Sequence, residues 1–152
     1  MNYELIHDGE LKTWVAILSS GDEVKQSLMQ IARGEGLHGA HFTAIGALER
    51  CVLGYFDWSK KKYRKNAIDE QVEVASLIGD ITLKDKDGEP KIHMHAVLGK
   101  ADASACAGHL MEGHVRPTLE VIIEETPAHL HRHHDDESGL ALIRLPGASG
   151  GR

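Results

Sequence analysis

The chain has 152 residues, 41% hydrophobic and 26% charged, with a net charge of −6 when histidine is neutral. That length suits one domain with its own core, and that composition excludes a disordered chain. No apolar run is long enough to span a bilayer, and Met1–Gly9 lacks the basic start and apolar middle of a signal peptide, so a cytoplasmic protein away from membranes is expected.

In chain order, Leu11–Leu18 reads as a first strand, stopped at Ser19-Ser20-Gly21. Asp22 is placed to cap a helix in which Val24, Leu28, Ile31 and Ala32 recur at helical spacing, and Gly34 and Gly36 end it. His41–Asp57 is strand-like but broken near Glu49-Arg50, which predicts a hairpin there. The basic run Lys60–Lys65 lies between Asp57 and Asp69 and reads as a solvated hairpin. Tyr63–Ala67 and Glu70–Leu83 are further strands, followed by a turn over Asp85–Pro90. Ile92–Leu98 alternates as a strand does, and Ala101–Gly108 is a small-residue connection to His109. Leu119–Glu125 and Leu140–Leu145 are the last strands, and Pro146–Arg152 a frayed tail. One helix with seven or eight strands predicts an α+β fold, a largely antiparallel sheet with the helix packed on it. It fills residues 1–145 as one domain.

Cys51 and Cys106 carry no CxxC or disulfide-framework spacing and read as two small hydrophobes in a reducing compartment. The eleven histidines are the unusual count. In a strand, side chains two apart leave the same face, about 6.6 Å apart at ~3.3 Å per residue, so His93 and His95 project together. His109 follows a Gly/Ala-rich return, with Gly108 permitting close backbone approach. Three neutral imidazoles suit a zinc-class ion with a fourth position left to water or a ligand. The alternative is that His93 and His95 line a polar face and His109 caps a turn. His7, His38 and His41 are scattered, His114 is a reserve ligand at most, and His129–His134 reads as an exposed loop, the alternative being a histidine-rich tract that picks up metal. Glu120, inside the apolar stretch LEVIIEE, either supports a metal centre as an acid/base or faces an opening or subunit interface, and Glu73 poses the same choice. No phosphate-binding glycine loop, nucleophile elbow or CxxC pair is present.

Six segments in order resemble the PPC domain (plant and prokaryote conserved domain): Phe42–Leu48, Leu53–Asp57, Glu73–Asp80, Gly88–Leu98, Gly108–Leu110 and Thr118–Val121. The family's His-x-His and Gly-Gly-His-Leu motifs fall on His93, His95 and His109, with Ala107 where the second motif usually has glycine. The resemblance runs from about Tyr3 to Leu145 and implies a homotrimer of antiparallel sheets. It also implies a fold similar to that of acetolactate decarboxylase, which holds zinc with three histidines, without implying that activity. Plant members carry an AT-hook before the domain. This chain has no Arg-Gly-Arg-Pro element and an acidic balance, so specific DNA binding is not expected. Three functions follow as expectations: a non-enzymatic trimeric metal-binding module whose site is structural or takes a small anionic ligand and whose surface engages partners, a metal-dependent lyase or hydrolase acting on a small molecule, or a DNA-binding regulator.

Overall fold

The computed structural model describes residues 1–84, 88–127 and 129–145. The residues read as a tail, 146–152, lie outside the described residues, as do 85–87 of the turn over Asp85–Pro90. The elements are β1 (Asn2–Asp8), β2 (Lys12–Ser19), α1 (Val24–Gly34), β3 (Ala40–Asp57), β4 (Lys62–Ile68), β5 (Val72–Lys84), β6 (Pro90–Gly99), β7 (Ala105–Glu125), β8 (His131–His134) and β9 (Ala141–Ile143). This is the expected α+β arrangement, one helix on a largely antiparallel sheet. Among the described residues every strand pair is antiparallel except β5 with β8.

The helix forms where the apolar spacing put it. Val24, Leu28, Ile31 and Ala32 are fully buried against the sheet, where α1 meets β6 and β7. Each of the larger three stabilises the packing by about 1.5–3 kcal/mol. The cap differs by one position. Glu23, not Asp22, accepts from the Gln26 amide, while Asp22 accepts from the Ser19 amide and pairs with the chain's amino terminus. Gly36 ends the turn with φ +64°, a left-handed conformation that glycine tolerates without a Cβ clash.

Four strand expectations are corrected. Asn2–Asp8, not read as a strand, pairs with β2 along its length. No hairpin forms at Glu49-Arg50. β3 runs unbroken through it, and register shifts against β7 between Gly46 and Arg50 absorb the irregularity. Leu119–Glu125 is not a separate strand but the end of the 21-residue β7, which begins at Ala105, inside the supposed connection. His131–His134 is a strand, not an exposed loop. It pairs in parallel with β5 and antiparallel with β9, and Arg132 at its centre is buried.

These long strands create the frame for the site. β3 pairs with β5, β5 with β6, β6 with the first residues of β7, and β7 with β3, so the four close a hydrogen-bonded circuit. Alternation on β6 buries Ile92, Met94, Ala96 and Leu98 in the core beneath α1. It sends His93, His95 and Val97 to the opposite, outer face. On β2, β7, β3 and β5 the outer face also carries Ile17, Ile122, Ile45 and Ile78, which are 39%, 46%, 60% and 56% exposed. Among the described residues, no helix is long and apolar enough to cross a membrane.

Candidate metal centre

His95 is the direct cross-strand partner of His109, so β6 and β7 hold these two side by side. His93 lies two residues back on the same face of β6. The ring centroids are 5.1 Å apart for His93 and His95, 5.2 Å for His93 and His109, and 5.4 Å for His95 and His109. One ligand atom from each lies within 4.8 Å of the others, and the Nε2 atoms of His93 and His95 are 3.2 Å apart. A tetrahedral ion with Zn–N of about 2.0–2.1 Å sets its nitrogens about 3.3–3.4 Å apart. The His93–His95 pair already has that spacing, and the widest pair must close by about 1.5 Å to match it.

Gly108 makes the third ligand's approach possible. A Cβ there would stand 3.0 Å from the Gly54 carbonyl oxygen on β3, tighter than ordinary contact. The alanine at 107, where glycine is usual in the motif, is accommodated in the β6–β7 pairing opposite Val97.

At His109 and His95 the electrostatics favour the neutral ring. Burial, then the neighbouring His93 and His95, push the His109 pKa down to about 4. Burial and His93 lower that of His95 as well. Among the described residues His109 Nδ1 is buried without a hydrogen-bond partner, an arrangement that costs about 1–3 kcal/mol unless something satisfies the atom. Three converging imidazoles, one with an orphaned buried nitrogen, fit a zinc-class ion. With the His109 pKa depressed, the unfolded chain takes up a proton first on acidification, so this ring's contribution weakens stability as pH falls from about 6.5 towards 4. In metal-stripped protein, the His109 ring resonances are expected not to titrate between pH 7 and 5.5. A midpoint near 6.5 would show that burial does not control this ring.

Behind His93 lies a set of contacts that no local sequence signal marks. Asp80 on β5 is its cross-strand partner, with Oδ2 3.8 Å from His93 Nδ1. Arg132 Nη2 donates to both Asp80 oxygens, at 2.8 and 3.0 Å, and lies 3.3 Å from the same Nδ1. Burial alone would raise the Asp80 pKa, but His93 and Arg132 outweigh it and hold the carboxyl below its ordinary value. Beside these groups, His41, Phe42, Thr43 and Ile78 complete a shallow cavity of about 380 Å³ that reaches His93 and His95. His41 Nε2 is 3.0 Å from Glu124 Oε2 there.

The remaining candidates are elsewhere. Glu120 is on the outer face between Ile17 and Ile45, its cross-strand partners, with β3 and β5 separating it from β6 at that level. Glu73 is exposed opposite Gly99. His114 pairs with Glu112 at 2.8 Å, His38 packs edge-on against His129, and His134 lies 3.4 Å from Asp136.

The Plants and Prokaryotes Conserved (PCC) domain model matches residues 7–127, which include all three clustered histidines. A search of curated proteins finds no match. Among solved structures, the chain is similar to a plant- and prokaryote-conserved (PPC) protein of Pyrococcus horikoshii, at 30% identity over 95% of each chain with a TM-score of 0.82. It is also similar to a metal-containing protein of Archaeoglobus fulgidus, at 31% identity over 95% of this chain and 99% of that one, TM-score 0.81. Acetolactate decarboxylase of Bacillus subtilis, at 11% identity over 87% of this chain and 60% of that one, shares the fold alone, TM-score 0.56. With its fold, its motif positions and most of its length matched, the chain belongs to the Plants and Prokaryotes Conserved domain family.

Proposed function

We propose that the chain is a trimeric metal-binding module in which His93, His95 and His109 hold one zinc-class ion per subunit. The observation that carries this reading is the convergence of the three rings, one of which also has a buried Nδ1 without a hydrogen-bond partner among the described residues. An all-imidazole donor set selects borderline ions such as zinc over calcium or magnesium. Three ligands leave a fourth position for water or a small ligand. The cavity beside His93 and His95 offers room for a small anion there. Similarity to a metal-containing protein of Archaeoglobus fulgidus supports the same reading. Elemental analysis of untagged protein should give about one zinc-class ion per chain, and anomalous scattering should place it among the three rings. Metal at background level would refute the proposal.

The cavity also supports a second reading, a metal-dependent lyase or hydrolase for a small molecule. A bound ion would polarise a carbonyl or lower the pKa of a water in the fourth position. An ion fully enclosed by protein ligands would remove this reading and leave a structural site. Glu120, set between isoleucines of the outer face, fits a subunit interface better than a role in chemistry. Cys51 and Cys106 are free thiols, which suits the reducing cytoplasm as the place of work.

For DNA we expect no specific binding. The chain carries 17 Lys and Arg against 23 Asp and Glu, and its basic run lies at the β3–β4 turn and along β4. Phosphate contacts release counterions, so any non-specific association should vanish as salt rises. A mobility-shift assay at physiological salt should show no retarded band. Sequence-selective retardation there would overturn this expectation.

A further inference from the structure

Arg132 is carried by a strand of four residues, in a segment whose composition suggested nothing but a histidine-rich loop, and it lies beyond the stretch matched by the family model. Its side chain is nonetheless only 6% exposed, and its donors are nearly all used. Nε donates to Thr82 Oγ1 at 3.0 Å, Nη1 to the Ala141 carbonyl at 3.0 Å, and Nη2 to Asp80. Thr82 in turn donates to the Lys91 carbonyl on β6. β8 pairs with β5 at Leu83 and Lys84, so from its place opposite Lys84 the Arg132 side chain runs back over Thr82 to Asp80. Asp80 and Thr82 are two apart on β5 and share a face, and the cross-strand partner of Asp80 is His93. The guanidinium therefore ties β9, β8, β5 and the first histidine of the cluster into one connected set.

We propose that Arg132 is a positioning residue for His93, and that docking of the β8–β9 arm and occupation of the metal centre stabilise one another. The proposal rests on the metal reading above. A histidine that ligates through Nε2 carries its ring proton on Nδ1 and needs an acceptor there. Of the two groups facing Nδ1, the guanidinium at 3.3 Å cannot accept, and the Asp80 carboxylate, with Oδ2 at 3.8 Å, can once it closes to hydrogen-bond distance on a metal-bound ring. Arg132 holds that carboxylate through both oxygens at the level of the ring. Lysine at this position keeps a charge near Asp80 but loses the fork that spans Thr82, Asp80 and Ala141 at once. Outer partners of this kind change metal affinity about 10–100-fold when altered. Because coupling between two equilibria is reciprocal, an ion that binds better when the arm is docked must also hold the arm down.

The test uses the full chain and zinc alone. Wild type, Arg132→Lys and Asp80→Asn are titrated with zinc against a chromophoric chelator, with cobalt substitution reporting ligand geometry through its visible bands. Circular dichroism confirms that each variant is folded, and His131→Ala is the control on the same strand. We expect one zinc per chain in all four proteins, with affinity about 10–100-fold weaker in Arg132→Lys and Asp80→Asn and unchanged in His131→Ala. Hydrogen exchange across residues 131–143 of wild type should slow on zinc addition. The proposal is overturned if folded Arg132→Lys and Asp80→Asn bind zinc within threefold of wild type. It is equally overturned if His131→Ala weakens binding as much as they do, or if zinc leaves exchange in the arm unchanged. A wild type that binds no zinc would instead remove the metal reading itself, and this inference with it.

Discussion

His95→Ala is expected to reduce bound zinc from about one ion per chain to background, and His93→Ala and His109→Ala should do the same. The reason is ligand count. Three imidazoles converge, with ring centroids 5.1–5.4 Å apart, and removing one leaves two donors for an ion that wants four. His95 is the most informative choice because it neighbours both others, as the register partner of His109 and 3.2 Å from His93 between Nε2 atoms. It lies on the outer face of β6, away from the core, so its removal opens no cavity there. His131→Ala and His133→Ala should leave the metal content intact, since both lie on β8, outside the cluster. Zinc retained at full stoichiometry in His95→Ala would remove the proposed site.

Proton competition sharpens the same experiment. Only a neutral imidazole ligates, and burial first, with neighbouring rings second, lowers the pKa of His109 to about 4 and that of His95 below its ordinary value. A lowered pKa keeps a ring neutral further into the acid range. At these two residues protons are therefore expected to displace a bound zinc-class ion only below pH 6.5, the midpoint an unperturbed imidazole would give.

The cluster was legible because its signal is local. The strand period alone puts His93 and His95 on one face, and Gly108 marks where a third chain segment comes close. The helix was legible for the same reason, its four apolar positions lying within nine residues. What was missed depends on partners far along the chain. Glu49-Arg50 looks like a turn, yet paired register shifts let β3 pass through it with Leu48 and Cys51 both buried. Neighbours of opposite parity share the core only when the backbone is irregular, and alternation cannot forecast that. All seven residues of β1 are exposed, so no burial pattern announces it. Arg132 sits among histidines, and its burial is set by Asp80, 52 positions earlier. Asp80 was in view as part of a resembling segment, but its relation to His93 exists only once β5 and β6 are in register.

On the proposed trimer reading, wild type should sediment near three times its 16.6 kDa chain mass, and Ile45→Glu and Ile122→Glu are each expected to reduce it to single-chain mass at micromolar concentration. Two cross-strand rows on the outer face motivate this. One runs Ile17, Glu120, Ile45, and the next runs Val15, Ile122, Thr43, Ile78, His95, ending on the histidine cluster. Ile45 is 60% exposed, Ile78 56% and Ile122 46%, three large apolar side chains interleaved with Glu120 and Thr43 on a face opposite to the one that α1 covers. Such groupings on soluble proteins mark contact surfaces. Completing the burial of an isoleucine stabilises an interface by up to about 1.5–3 kcal/mol. Glutamate forfeits that gain and adds the several kcal/mol needed to desolvate an unpaired carboxylate. Repeated in every subunit, the loss exceeds what micromolar association can absorb. The isolated fold should feel little, because substitutions at exposed positions usually change stability by no more than about 0.5 kcal/mol, so circular dichroism should remain that of the parent. A wild type of single-chain mass, or a trimer that survives Ile45→Glu and Ile122→Glu together, would mean that this face does not hold the subunits.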